Sequence, residues 1–183
     1  EQYASIVPVV TKTLPLDLNH KTVDYLEVGF SETNEETQEK ETFATGNLTV
    51  TSEAAYGRIS NLMFMAGALD IRSGEIGGSG CAGLLCDANS GTATISGGTV
   101  NAAGNQYSTS GSSGIGGNST DVTISGGNIT ATGYGTGAGI GSYDDNSSNI
   151  TITGGTITAT GNDKAPAIGN GSVSISNADA PLD

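Results

Sequence analysis

Hydrophobic and polar positions alternate through the second half of the chain, and the alternation breaks at paired glycines. In "ITITGGTITATG", residues 150–161, Ile150 and Ile152 fall on one side and Thr151 and Thr153 on the other, which is the period of a strand. Gly154 and Gly155 interrupt it, and Ile157 and Ala159 resume it. The pattern recurs as "VTISGGNITATG" from Val122, as "ATISGGTVNAAG" from Ala93, and in degraded form as "LDIRSGEIGGSG" from Leu69. Fainter ends are "LTVTSEAAYG" from Leu48 and "VSISNADAPLD" from Val173. Each clear copy carries a distal echo: "SGIGG" around Ile115, "AGIGS" around Ile140 and "PAIGN" around Ile168.

The aligned residues Val50, Ile71, Ile95, Ile124, Ile152 and Ile175 lie 21 to 29 positions apart. Two strands flanking a glycine corner, plus a short third strand at the echo, predict one rung of a parallel β-helix per period. Equivalent strands of successive rungs then lie about 4.8 Å apart. A Gly-Gly pair can also close a two-residue hairpin. Pairing within a repeat, however, leaves the identical phase of isoleucine in every copy without a cause. The expected fold is all-β: a right-handed parallel β-helix of about five rungs, its hand following from the rule for parallel crossovers. Ile95, Ile124 and Ile152 should form one internal ladder.

Residues 1–46 break the pattern, with the hydrophobic runs "SIVPVV" and "VDYLEVGF" and the acidic stretch "SETNEETQEKET". An uncovered stack would expose unpaired strand edges, so this segment is expected to be an N-terminal cap of strands plus an acidic loop. It would cover the β-helix repeats of residues 47–183. Composition changes the picture little. With 29 Gly, no Trp and 35% hydrophobic residues the chain could pass for disordered. The placement of Ile and Val argues for a narrow buried column instead. A net charge of −13 excludes nucleic acid and anionic membrane surfaces as electrostatically attracted partners. No apolar run reaches the length of a transmembrane helix, so no membrane insertion is expected. Lacking an initiator Met and a signal-peptide pattern, the sequence reads as a piece of something longer.

Candidate chemistry is sparse. "GSGCAG" from Gly78 satisfies the dinucleotide-binding spacing, but no helix pattern follows it and glycine is everywhere. Cys81 and Cys86 would lie beyond the ~7 Å Cα limit for a disulfide if extended, and a sharp turn would allow one. "YDDNSSN", residues 143–149, offers oxygen ligands without repeated geometry, so calcium is not supported and no cofactor is expected. A pectin-cleaving site needs cationic side chains, and beyond Arg72 only Lys164 is basic, so no catalytic residue is assigned. Asp70 and Arg72 should pair outward as a surface salt bridge. Two outward features remain. One is a hydroxyl array: Thr94, Thr123 and Thr151 with Ser96, Ser125 and Thr153, continued by Thr99 and Thr156 around Asn128. The other is Tyr107 and Tyr134, in similar places in the long loops of adjacent rungs, with Tyr143, Asp144 and Asp145 following. Aromatic faces with nearby carboxylates suit sugars, so these five form the candidate ligand site.

Taken together, "ISGGTV…AAG…SGIGG" and "ISGGNITATG…GAGIGS" resemble the repeats of bacterial cell-surface proteins with pectate-lyase-like, carbohydrate-binding β-helices. The resemblance covers roughly Leu48 to Ser176. It implies an extracellular or cell-surface location, attachment through neighbouring domains, and binding of polysaccharide or host-surface glycan without catalysis. A structural stalk, an ice-binding face and a degenerate lyase are the competing readings.

Overall fold

A computed structural model describes residues 9–33, 36, 40–52, 57–64, 66–78, 91–107, 111–117, 120–143, 148–162, 165–169 and 173–175. Val9–Val10 (β1) precedes the first full coil of Thr13–Asp17 (β2), Thr22–Val23 (β3) and Leu26–Val28 (β4). A hairpin of Phe30–Thr33 (β5) and Lys40–Ala44 (β6) follows. The second coil is Gly46–Thr51 (β7), Arg58–Ile59 (β8) and Leu62–Phe64 (β9), and the third begins with Gly67–Ile71 (β10) and Glu75–Gly78 (β11). Gly91–Ile95 (β12) and Thr99–Ala103 (β13) belong to the fourth coil. The fifth holds Thr120–Ile124 (β14), Asn128–Thr132 (β15) and Ile140–Gly141 (β16). The sixth holds Ile150–Ile152 (β17), Thr156–Thr160 (β18) and Ile168–Gly169 (β19), and Val173–Ile175 (β20) opens another.

Equivalent strands stack in parallel, so the molecule is a parallel β-helix. Face 1 is a seven-stranded sheet in the order β2-β7-β10-β12-β14-β17-β20, and face 2 is six-stranded, β18-β15-β13-β11-β8-β3. Face 3 is made of β1-β4-β9 at one end and β16-β19 at the other, where Ile115 bridges to Ile140. The isoleucine phase read from the sequence is the register of the sheet. Val50 pairs with Ile71, Ile71 with Ile95, Ile95 with Ile124, Ile124 with Ile152 and Ile152 with Ile175. Val50, Ile71, Ile95 and Ile124 are each 0% exposed. Face 2 contributes a second column, in which Ile76, Val100 and Ile129 are buried and Ile157 packs against them half-buried. Each such side chain removed from water contributes roughly 1.5–3 kcal/mol.

The stack is longer than about five rungs, because residues 9–28 are built into it. Leu14 pairs with Leu48 and Leu16 with Val50, in the same register as the repeats above. The N-terminal segment therefore holds strands, as expected, but β2 and β3 are parallel members of faces 1 and 2. Its antiparallel element is the β5–β6 pair, which takes in residues 31–33 and 40–42 of the acidic stretch. Repeat spelling did not reveal this coil because its corner is not glycine. Asn19 and His20 take positive φ there, 35° and 62°, a conformation that asparagine and histidine tolerate better than most residues.

The Gly-Gly corners between faces 1 and 2 use their two glycines differently. The second of each pair has positive φ: 81° at Gly98, 93° at Gly127 and 99° at Gly155. The first is there for closeness. A Cβ on Gly126 would lie 2.4 Å from the carbonyl oxygen of Ser96 in the coil beneath.

Candidate functional site

The corner leads into face 2, and its outward side is the most regular polar surface among the described residues. Register places Thr99, Asn128 and Thr156 in one column and Asn101, Thr130 and Thr158 in the next, with Ala103, Thr132 and Thr160 in a third. Asn101, Asn128, Thr130, Thr156, Thr158 and Thr160 are exposed, and Thr99 and Thr132 half-buried. Inward partners fix these directions: Val100 and Ala102, then Ile129 and Ala131, fill the core, and strand alternation turns the intervening residues outward. Neighbours within a column are about 4.8 Å apart, and neighbours along a strand about 6.7 Å. The array is uncharged. Thr99 and Thr156 were expected on this face around Asn128. Asn101, Thr130, Thr132, Thr158 and Thr160 were missed, although the alternation of "TITAT" carries the signal.

Face 1 is less uniform. Its outward column runs Thr49, Asp70, Thr94, Thr123, Thr151, and the next corner column includes Arg72, Ser96, Ser125 and Thr153. Arg72 Nε donates to Asp70 Oδ2 at 2.8 Å, the expected outward pair. Glu75 does not join them. It reaches back one coil to Arg58, at 3.3 Å. In the outward column that holds Thr92 and Asp121, Asn149 Nδ2 donates to Asp121 Oδ1 at 2.8 Å.

The tyrosines fall at two corners. Face 2 ends at Gly104 in the fourth coil and Gly133 in the fifth, whose amides donate to Thr132 and Thr160 of the coils above. Tyr134 follows Gly133 directly and is half-buried, whereas Tyr107 lies three residues beyond Gly104 and is 83% exposed. Buried Ser112 ties the two together. Its Oγ accepts from Asn105 N at 2.9 Å, and its backbone exchanges hydrogen bonds with Tyr134 at 2.9 and 2.8 Å. Asn105 Oδ1 in turn accepts from Tyr107 N at 2.9 Å, closing a turn that holds Tyr107 out from the corner. Sequence gave no hint of Ser112, because its partners are set by the loop fold and not by the repeat.

Tyr143 is elsewhere. It follows β16, after face 3, and is half-buried. Tyr134 thus follows face 2 and Tyr143 follows face 3, with residues 138–141 between them along the chain. Asp144 and Asp145 lie outside the described residues, as do Cys81 and Cys86.

A beta helix repeat family model matches residues 94–119, 122–142 and 150–172, the segments from face 1 of the fourth, fifth and sixth coils onward. This agrees with the parallel β-helix stacking observed in those coils. Searches of curated proteins and of solved structures return no match.

Proposed function

We propose that this chain is a non-catalytic polysaccharide-binding module of a secreted or surface-anchored bacterial protein, with face 2 as the floor of the site. The observation that carries this reading is the uncharged, in-register array from Thr99 to Thr160. Its hydroxyl and amide groups both donate and accept hydrogen bonds, as sugar hydroxyls require. In a chain of net charge −13, such a face is suited to a neutral ligand. Tyr107 and Tyr134 leave the far edge of that floor, where an aromatic side can meet a sugar ring.

A structural stalk is the plainer competitor, since threonine suits any solvated strand. Asparagine does not. It is depleted from strands, so Asn101 at the middle of β13 and exposed Asn128 at the start of β15 are not accounted for by propensity. The experiment is a glycan array with the recombinant chain, alongside an assay for unsaturated products from polygalacturonate across pH and calcium. Retention of a neutral polysaccharide without product is the expected result. Product release would replace this reading with a lyase, and an array on which nothing binds would leave the stalk.

A further inference from the structure

Resting on the glycan-binding reading above, we propose that face 2 takes an extended, uncharged polysaccharide laid along the coil axis, about one sugar residue per coil. The alternative direction, along a strand, is short. The longest strands, β13, β15 and β18, each offer three outward positions, such as Asn128, Thr130 and Thr132, spanning about 13 Å before the chain turns.

The axial direction is longer and stays neutral. The middle column continues below Asn101 into Gly77 by register, and Gly77 lies against the Ser60 backbone of the coil beneath. Thr158, Thr130, Asn101, Gly77 and Ser60 thus make a path of five coils, about 19 Å from end to end. The path loses its side chain at Gly77, and a Cβ there would lie 2.4 Å from the carbonyl oxygen of Ser60. Beside this shallow stretch stand Glu75 and Arg58, paired with each other at 3.3 Å and about half exposed. Their charges largely cancel, so the wall offers hydrogen bonds without selecting a charged ligand. Among the described residues these two are the only charges on face 2 from the second coil to the sixth.

The coil rise of about 4.8 Å is close to the length of one pyranose residue in an extended chain. Successive sugars along the axis would therefore meet successive coils, with alternate residues of a two-fold extended chain presenting opposite edges to the floor. A strongly curved or helical glucan would lose this register after one or two coils.

The test uses ladders of neutral oligosaccharides, cello-, xylo- and manno-, from disaccharide to hexasaccharide, with size-matched oligogalacturonides as the anionic comparison. Calorimetry should show affinity for one neutral series rising with each added sugar and levelling near the pentasaccharide. Thr130→Lys and, separately, Thr158→Lys should weaken it by about tenfold or more, while Thr123→Lys on face 1 leaves it unchanged. Unchanged melting shows that the loss is not a folding defect. Binding that is independent of length, survives both face 2 substitutions, or favours oligogalacturonides would overturn the axial site while leaving glycan binding by another face. If no glycan on the array or in the ladders binds, the glycan-binding reading falls with it.

Discussion

At the scale of single residues, the fold depends on a few side chains that admit no polar replacement. Ile124 sits between Ile95 and Ile152 and is 0% exposed, so an aspartate there would be a buried charge with no partner. Ile124→Asp should cost about 3–5 kcal/mol and abolish the cooperative melt; a normal melting curve would contradict the ladder. Glu27 acts in the opposite sense. It is half-buried on β4, between Val9 and Met63 in register, and desolvation raises its carboxyl above the ordinary 4.5. The folded state then holds that proton more tightly than the unfolded chain does. Stability falls as pH rises from 4.5 through the raised value, and above it the burden is complete. Glu27→Gln should therefore melt higher than the parent protein at neutral pH, and the advantage should vanish below pH 4.5. An equal advantage at both pH values would assign the effect to something other than ionisation.

At the scale of elements, the coils are alike in register but not in environment. Ile129 on β15 is 2% exposed between two neighbouring coils, whereas Ile157 on β18 is half-buried on the outermost described strand of face 2. Ile129→Ala should cost toward the upper part of the ~2–5 kcal/mol range for such truncations, and Ile157→Ala toward the lower part or beneath it. Urea unfolding of the two variants checks the order; equal costs would mean that β18 is as well covered as β15. At the other end, Leu18 N donates to Thr51 O and Lys12 O accepts from Asn47 N, so the even-numbered residues of β2 bond to β7. Pro15 therefore turns its nitrogen, which has no hydrogen, to the outer edge, where proline is tolerated and discourages further pairing. Elements spelled with Gly-Gly corners were legible because phase and punctuation coincide there. The first coil was not, because Asn19 and His20 make its turn and Pro15 sits in the middle of its strand, where a sequence pattern argues against one. The candidate site was legible only in part, for a related reason. The outward columns follow from the strand period, but the meeting of Asn105, Ser112 and Tyr134 depends on how two loops of unequal length fold over one another.

At the scale of the whole molecule, charge and the proposed binding face should respond differently to salt. The chain carries −13, and that charge repels itself in the folded stack. Raising ionic strength from about 0.1 M to about 1 M shortens the screening length from roughly 10 Å to 3 Å, which weakens the repulsion. The melting temperature should therefore rise with sodium chloride. Binding along face 2 has no such lever, because its described columns are hydroxyls, amides and small uncharged residues and the Arg58–Glu75 pair is internally matched. Affinity for a neutral oligosaccharide should be unchanged, within a factor of about two, over the same range in which melting shifts. A cationic or anionic ligand would instead bind with an affinity that moves steeply with salt. Calorimetry and thermal melting on the same samples separate the two: rising stability with constant affinity fits an uncharged ligand on face 2. Affinity that falls as salt rises would instead direct the search to a charged ligand and to the acidic N-terminal coils.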